Sequence, residues 1–157
     1  MIRDALTCMA SELNTLGNSD KNPAIVSGIK PLSGEHKNQL AITLVNIEEE
    51  VSLRNFAQIN NLAAPLLHIN LYVLISAHFN PANYTESLDS ISRVISFFHQ
   101  KPVFTPQNSK LPEKLIEKFT VEFCNLDLQK LAMLCQVTGS LYLPSVLYKV
   151  QLHYLAS

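Results

Sequence analysis

The sequence predicts an α/β (α+β) fold in which helices flank a single mixed β-sheet. Apolar side chains in residues 67–79 recur at every second position, whereas after Asn83 they recur about every 3.6 positions. This change of period is typical of a strand, a turn and a helix. Polar and apolar residues also alternate at residues 40–47, 115–124 and 144–155, and helical spacing recurs at residues 2–16 and 128–135. Strands and helices therefore intermix along the chain.

The segment at residues 67–100 is predicted to be the centre of the fold. In its strand every odd-numbered side chain is apolar and the even-numbered ones are mostly polar or amphipathic, which suits the middle of a sheet. Asn83 is predicted to cap the helix, with Glu86 three residues later, and Pro102 is predicted to end it at Lys101. The helix stripe predicted to face the sheet comprises Tyr84, Leu88, Ile91, Ile95 and Phe98, widened by Val94 and Phe97.

The first part of the chain is predicted to hold one helix and two short strands. The helix covers residues 2–16 and ends at Gly17, and the strands cover residues 24–29 and 40–47, separated by a loop with Gly34. Strict alternation in the second strand assigns Ile47 to the face that carries Ala41 and Thr43. Residues 55–64 have weak periodicity and are predicted to form an excursion before the central strand.

The last part of the chain is predicted to alternate between strand and helix. Residues 115–124 form a strand with Phe119, Val121 and Phe123 on one face. A short helix at residues 128–135 ends at Gly139, and residues 144–155 form the final strand. With 157 residues, the chain is predicted to be a single domain over residues 1–157.

The composition excludes several classes of function. The net charge of −1 gives no electrostatic footprint for nucleic acid, and no apolar run approaches the roughly 20 residues of a membrane span. The N-terminal residues lack the apolar core of a signal peptide. The three cysteines form no CxxC pair, which favours reduced thiols in a cytoplasmic protein. Charged residues make up only 16%, which indicates that part of the surface is covered in an assembly.

No motif for catalysis, cofactor binding or metal binding is present. GxSxG, GxGxxG, GxxxxGK and HExxH are all absent. The spacing of the histidines and cysteines matches no metal site, so we predict no metal, no cofactor and no catalytic residue. The residues considered are His36, His68, His78, His99, His153, Cys8, Cys124 and Cys135.

One cluster of charge follows the strand at residues 40–47. Glu48, Glu49 and Glu50 could supply a carboxylate pair for acid–base chemistry, but no partner base is placed by the sequence. Alternation places Glu48 and Glu50 on one face and Glu49 on the other. We therefore predict an interface formed by Glu48, Glu49, Glu50 and Arg54, in which Arg54 offsets one carboxylate. The open alternatives are that the glutamates are solvated, or that one is an internal partner of Arg54.

Two segments carry a resemblance to a known family. They are LVNIEEEVSLRN at residues 44–55 and the long segment at residues 67–106, followed by PSVLYKVQ at residues 144–151. In this order they resemble the N-terminal domain of the cap protein of contractile, phage-tail-like injection particles of the antifeeding-prophage and virulence-cassette type. The chain departs from the family pattern in lacking a Trp in the helix around Leu131. The residues that carry the resemblance are Asn46, Ile47, Glu48, Glu49, Glu50, Asn70, Leu71, Tyr72, Ala77, Phe79, Tyr84, Leu88, Ile95, Phe97, Phe98, Val103 and Phe104.

The resemblance implies a structural protein rather than an enzyme. By this resemblance the chain has the fold of phage tail terminators and forms a ring, expected to be hexameric, on the last ring of the inner tube. The implied partners are further copies of this chain, the inner-tube protein and the sheath protein, with assembly in the cytoplasm. Two alternatives stay open: a baseplate or tube-adaptor component of the same machine, and a small ligand-binding or enzymatic domain.

Overall fold

The computed structural model describes residues 1–16, 21–28, 38–50, 66–112, 116–139 and 142–155. Its helices are α1 (Ile2–Leu13), α2 (Tyr84–Gln100) and α3 (Leu128–Thr138), and a short 3₁₀ turn (Pro81–Asn83) precedes α2. Its strands are β1 (Ala24–Val26), β2 (Gln39–Glu49), β3 (Leu66–His78), β4 (Val103–Phe104), β5 (Ile116–Cys124) and β6 (Ser145–Leu155). The predicted α+β class is confirmed.

The strands form one mixed sheet in the order β1-β2-β3-β6-β5-β4. β1 runs parallel to β2, and the other neighbours are antiparallel. β3 pairs with β2 on one side and with β6 on the other, so the predicted position of this strand inside the sheet is confirmed. The two-residue strand β4 has no counterpart among the predicted elements.

One face of the sheet carries the hydrophobic core. Leu71, Val73 and Ile75 of β3 are completely buried on this face, and α1 and α2 contribute Met9, Val94 and Phe98 to the same cluster. Aromatic rings continue the core toward the β4 edge, where Phe104 stacks on Phe119 with ring centroids 4.8 Å apart. Both helices therefore cover the same face, and the alternation of β3 and β6 decides which side chains they meet.

The buried side of α2 differs from the predicted stripe. Its buried residues are Ser87, Ser90, Val94 and Phe98, whereas Leu88 is 41% exposed. Tyr84 and Ile95 are also exposed, and Ile91 and Phe97 are only partly buried. Two serines can be buried here because Ser87 Oγ donates to the carbonyl of Tyr84 at 2.5 Å and Ser90 Oγ accepts from Arg93 at 3.1 Å. The predicted stripe was wrong for Tyr84, Leu88 and Ile95.

A β-bulge in β2 changes the predicted faces of that strand. Leu44 pairs with Val73 and Asn46 pairs with Tyr72, so Val45 is an extra residue with no partner position. Beyond the bulge, Ile47 lies opposite Leu71 on the core face. The prediction that Ile47 shares a face with Ala41 and Thr43 was therefore wrong. The strand also continues through Glu49, two residues beyond its predicted end.

The ends of the helices follow the predictions in part. Asn83 makes no side-chain capping bond; instead Asn80 accepts from the Ala82 amide at 3.0 Å and caps the preceding 3₁₀ turn. α2 stops before Lys101, as predicted, and α3 ends at Gly139 in the left-handed conformation with φ 63°. α1 ends at Leu13 with Asn14 as its C-cap, so the predicted end of this helix at Gly17 was wrong. The predictions for Gly34, His36, Arg54 and residues 55–64 lie outside the described residues.

Candidate functional site

The face of the sheet opposite the helices carries a patch of polar side chains on four adjacent strands, which we call the polar face. Each strand contributes at every second position, so the residues form rows across the sheet. One row runs from Asn46 through Tyr72 and Lys149 to Glu122, and the next runs from Glu48 through Asn70 and Gln151 to Thr120. The polar face is defined by these eight residues together with Glu50, His68, His153 and Lys118.

The predicted acidic interface lies at the β2 end of the polar face. Glu48 accepts a hydrogen bond of 2.9 Å from the Tyr72 hydroxyl, and Glu50 accepts one of 3.1 Å from the Asn70 amide. Glu49 lies opposite Ile69 on the other face of the strand pair. The structure thus brings Glu48 and Glu50 together and separates Glu49 from them, as alternation predicts. Arg54, the fourth residue of the predicted interface, lies outside the described residues.

Glu48 is anchored and exposed at once. Its hydrogen bond raises the pKa of Tyr72 above the usual value, because the phenol is held as a donor to the carboxylate; burial and the charge of Glu48 add to the effect. Asn46 Nδ2 makes a second, longer contact of 3.4 Å with the same carboxylate. The Glu48 charge is therefore fixed in position while its side chain stays accessible to a partner.

Two histidines meet on the polar face, a pairing that no pattern in the sequence indicates. His68 lies opposite His153 in the β3–β6 register, and their ring centroids are 4.6 Å apart in an edge-on arrangement. Burial is the main cause that lowers the pKa of His153, followed by the charges of His68 and Lys118. The Nδ1 atom of His68 is buried and has no hydrogen-bond partner in the part of the chain that the structure describes. His153 is therefore favoured in the neutral form.

Within the described ranges, no three His, Cys, Asp or Glu side chains lie close enough together to hold a metal ion. Cys8, Cys124 and Cys135 are free thiols, and burial raises the pKa of the Cys8 thiol. None of the described helices is both long enough and apolar enough to cross a lipid bilayer. The titratable groups therefore offer no geometry for metal chemistry in the described part of the chain.

Large apolar side chains are exposed on two other parts of the molecule. One lies along α2 and β5, where Leu88, Ile95 and Phe123 are exposed. The other is α3, none of whose residues is buried, and on which Leu128, Met133 and Val137 are exposed. Exposed apolar groups clustered in this way are typical of surfaces that contact another protein.

Comparison with known proteins gives a matching family and several similar solved structures. A sequence model of the Pvc16 N-terminal domain matches residues 6–157. The fold is similar to the PVC sheath/tube terminator of an extracellular contractile injection system in its extended state, with a TM-score of 0.68 and 18% sequence identity. It is also similar to the tube-terminating cap of the anti-feeding prophage, with a TM-score of 0.64 and 14% identity. None of the curated proteins matches the sequence significantly.

In each structural match, the aligned region is a larger fraction of this chain than of the matched terminator chain. They cover 100% of this chain but only 57% and 56% of the two terminator chains. The chain thus spans little more than half the length of these relatives. At such low sequence identity the likeness establishes the fold, which agrees with the tail-terminator fold implied by the sequence resemblance.

Proposed function

The chain belongs to the Pvc16 N-terminal domain family, and we propose that it is the structural cap of a contractile injection system. In this role copies of the chain form a ring, hexameric by analogy with the family, that sits on the last ring of the inner tube and ends its polymerisation. The ring also contacts the last ring of the sheath. Assembly takes place in the cytoplasm, and the cap then remains part of the particle.

The observation that carries this proposal is the coverage of the structural matches. All of this chain superposes on part of a sheath/tube terminator and on part of a tube-terminating cap. The proposed single domain over residues 1–157 is supported by one hydrophobic core to which α1, α2 and the sheet all contribute. A non-enzymatic role is supported by the nature of these relatives, whose names describe structural parts of particles.

We assign the contact with the tube to the acidic end of the polar face. Glu48 and Glu50 share this face and are held by hydrogen bonds of 2.9 and 3.1 Å, so their charges have fixed positions. Fixed charges at the rim of an interface mainly set the encounter rate and the register of the partners. Basic groups on the terminal tube ring would complement this end of the sheet.

The proposed function is tested with particles produced with and without this chain. Negative-stain electron microscopy measures the length of the inner tubes. A cap predicts a narrow length distribution in its presence and a broad one, with tubes longer than the sheath, in its absence. Particles that lose the baseplate but keep a normal length distribution would assign the chain to an adaptor instead, and unchanged particles would contradict both roles.

The acidic contact is tested by Glu48→Gln, which removes the charge but keeps an oxygen that can accept from Tyr72. The variant should melt like the wild type and cap tubes less well. Asp89→Asn is the matched control, because Asp89 is an exposed carboxylate of α2, on the side of the sheet opposite the polar face. A Glu48→Gln variant that caps normally would remove Glu48 from the contact and leave the capping role itself intact.

A further inference from the structure

One row of the polar face has two histidines at its centre and opposite charges at its ends. The β3–β6 register places His68 opposite His153, and the β5–β6 register places Lys118 opposite His153. On the other side the Glu50 amide donates to the carbonyl of His68 at 2.9 Å, so Glu50 continues the row beyond β3. The histidine pair therefore lies directly beside the acidic end of the polar face.

The polar face is close to neutral when both histidines are uncharged. Three glutamates against two lysines then give it a net charge of −1. One proton on the histidine pair brings this net charge to zero, and a second proton reverses its sign. Histidine is the side chain whose ordinary pKa lies nearest to neutral pH, so within the polar face this pair decides the charge between neutral and mildly acidic pH. The charged residues counted here are Glu48, Glu50, Glu122, Lys118 and Lys149.

The groups around the pair determine how it takes up protons. The two ring centroids are 4.6 Å apart, so a charge on one ring opposes a charge on the other. Lys118 of β5 adds to this opposition, whereas Glu117 of β5 favours the charged form of His153. Glu50, at the β2 end of the row, also attracts positive charge. The buried Nδ1 atom of His68 has no acceptor within the described residues, so the pair takes up its first proton more readily than its second.

We propose that the His68–His153 pair makes the contact of the polar face with the inner tube sensitive to pH. Neutral rings leave the acidic end able to hold a basic surface, and a protonated ring weakens this hold. The inference rests on the proposed contact of Glu48 and Glu50 with the terminal tube ring and adds its regulation. Rows on one face of a sheet are about 7 Å apart, so the new charge lies close to both carboxylates. One unit charge at this range should weaken tube binding about two- to tenfold.

Co-sedimentation with tubes assembled from the inner-tube protein tests this regulation. Binding is measured at constant ionic strength, at about pH 7.5 and at the lowest pH at which the circular dichroism spectrum of the chain is unchanged. The wild type should bind more weakly at the lower pH, and the double variant His68→Gln, His153→Gln should bind equally at both. His99→Gln should keep the wild-type dependence, because His99 is an exposed histidine of α2, on the side of the sheet opposite the polar face. Titrating groups of the tube are common to all these measurements.

A second measurement needs no partner. Nuclear magnetic resonance follows the ring signals of His153 against pH in the wild type and in His68→Gln. Burial, the main cause that lowers the pKa of His153, remains in the variant, whereas the charge of His68 is removed. The pKa of His153 should therefore rise in His68→Gln. An unchanged titration midpoint would show that the two rings do not act as a pair and would overturn the proposal.

The outcomes of the tube-binding experiment separate this regulation from the capping role. Wild-type chain that binds tubes equally well at both pH values would overturn the regulation and spare the cap. A pH dependence that persists in the double variant would assign the effect to other groups and would also overturn the regulation. Chain that binds no tube at neutral pH, with tube lengths unchanged in its absence, would refute the capping role and the regulation together.

Discussion

Lys101 Nζ lies 2.7 Å from Glu12 Oε2, and this ion pair joins α1 to the segment after α2 across 89 residues of sequence. Glu12 is buried, and its other carboxylate oxygen accepts from the Lys110 amide at 3.0 Å. Lys101 also donates to the carbonyl of Asn108 at 2.8 Å. One carboxylate therefore fixes the first helix against the loop that leads into β5.

Removing this carboxylate should destabilise the fold. We expect Glu12→Ala to cost about 1–3 kcal/mol, because the Lys110 amide loses its acceptor and Lys101 loses a charged partner. Urea denaturation followed by circular dichroism measures the change in the free energy of unfolding. Glu117→Ala, at an exposed glutamate, is the control and should change it by less than about 0.5 kcal/mol. Equal effects of the two substitutions would show that the Glu12 contacts contribute nothing.

The orientation of α2 can be tested with two substitutions on its opposite sides. Phe98→Ala should cost about 3–5 kcal/mol, since Phe98 is buried against Tyr148 and Phe104. Leu88→Ala should cost less than about 1 kcal/mol, because Leu88 is already largely exposed in the isolated chain. Both values follow from denaturant melts of the isolated chain. A larger loss for Leu88 than for Phe98 would contradict the observed rotation of the helix.

Stability should fall as the pH is lowered through the titration range of His153. The pKa of His153 in the folded chain is lowered from 6.5, so below that pH the unfolded chain binds protons more readily than the folded chain. The contribution of neutral His153 to the free energy of unfolding is thus complete above pH 6.5. It is lost as the pH falls toward the lowered pKa. Thermal melts across this range should give a shallower pH dependence for His153→Gln than for the wild type. Gln129→Asn, at an exposed uncharged side chain of α3, should keep the wild-type dependence.

The left-handed residue at the end of α3 gives a matched pair of glycine substitutions. Gly139 has φ 63°, and a Cβ added there meets no atom within 4 Å, so Gly139→Ala tests backbone strain alone. We expect a loss of about 1–2 kcal/mol. Gly28→Ala, which also meets no atom within 4 Å but has no positive φ, should leave the melting temperature nearly unchanged. Equal melting temperatures for both variants would contradict the left-handed cap.

Periodicity predicted the types of element well and their faces less well. The apolar arc of α2 is wider than the area the sheet covers, so period alone could not decide whether Leu88 or Val94 faces the core. Two buried serines made the choice harder, because their hydroxyls are satisfied within the helix and their burial leaves no apolar signal. Propensity and spacing give a helix and its end points, but packing decides its rotation.

The candidate site was predictable only where it depends on one strand. The positions of Glu48 and Glu50 on one face follow from local alternation, and the resemblance to the cap family already drew attention to this run. The pairing of His68 with His153 depends on the register between β3 and β6, which lie far apart in sequence. The exposure of Phe123 on β5 follows from the shortness of β4, which pairs with β5 over only two residues, and no residue pattern marks that point.

The bulge at Val45 changes the face of the sheet on which the even-numbered side chains of β2 lie. Upstream of it the even-numbered side chains point to the helices, and downstream they point to the polar face. A chain shorter by one residue at this point would pair regularly and keep every carboxylate on its present side. The loss of Ile47, two positions later, would instead place Glu49 where Glu48 now lies and turn Glu48 and Glu50 toward the helices. The position of a deletion in this strand, more than its length, decides whether the charge pattern survives.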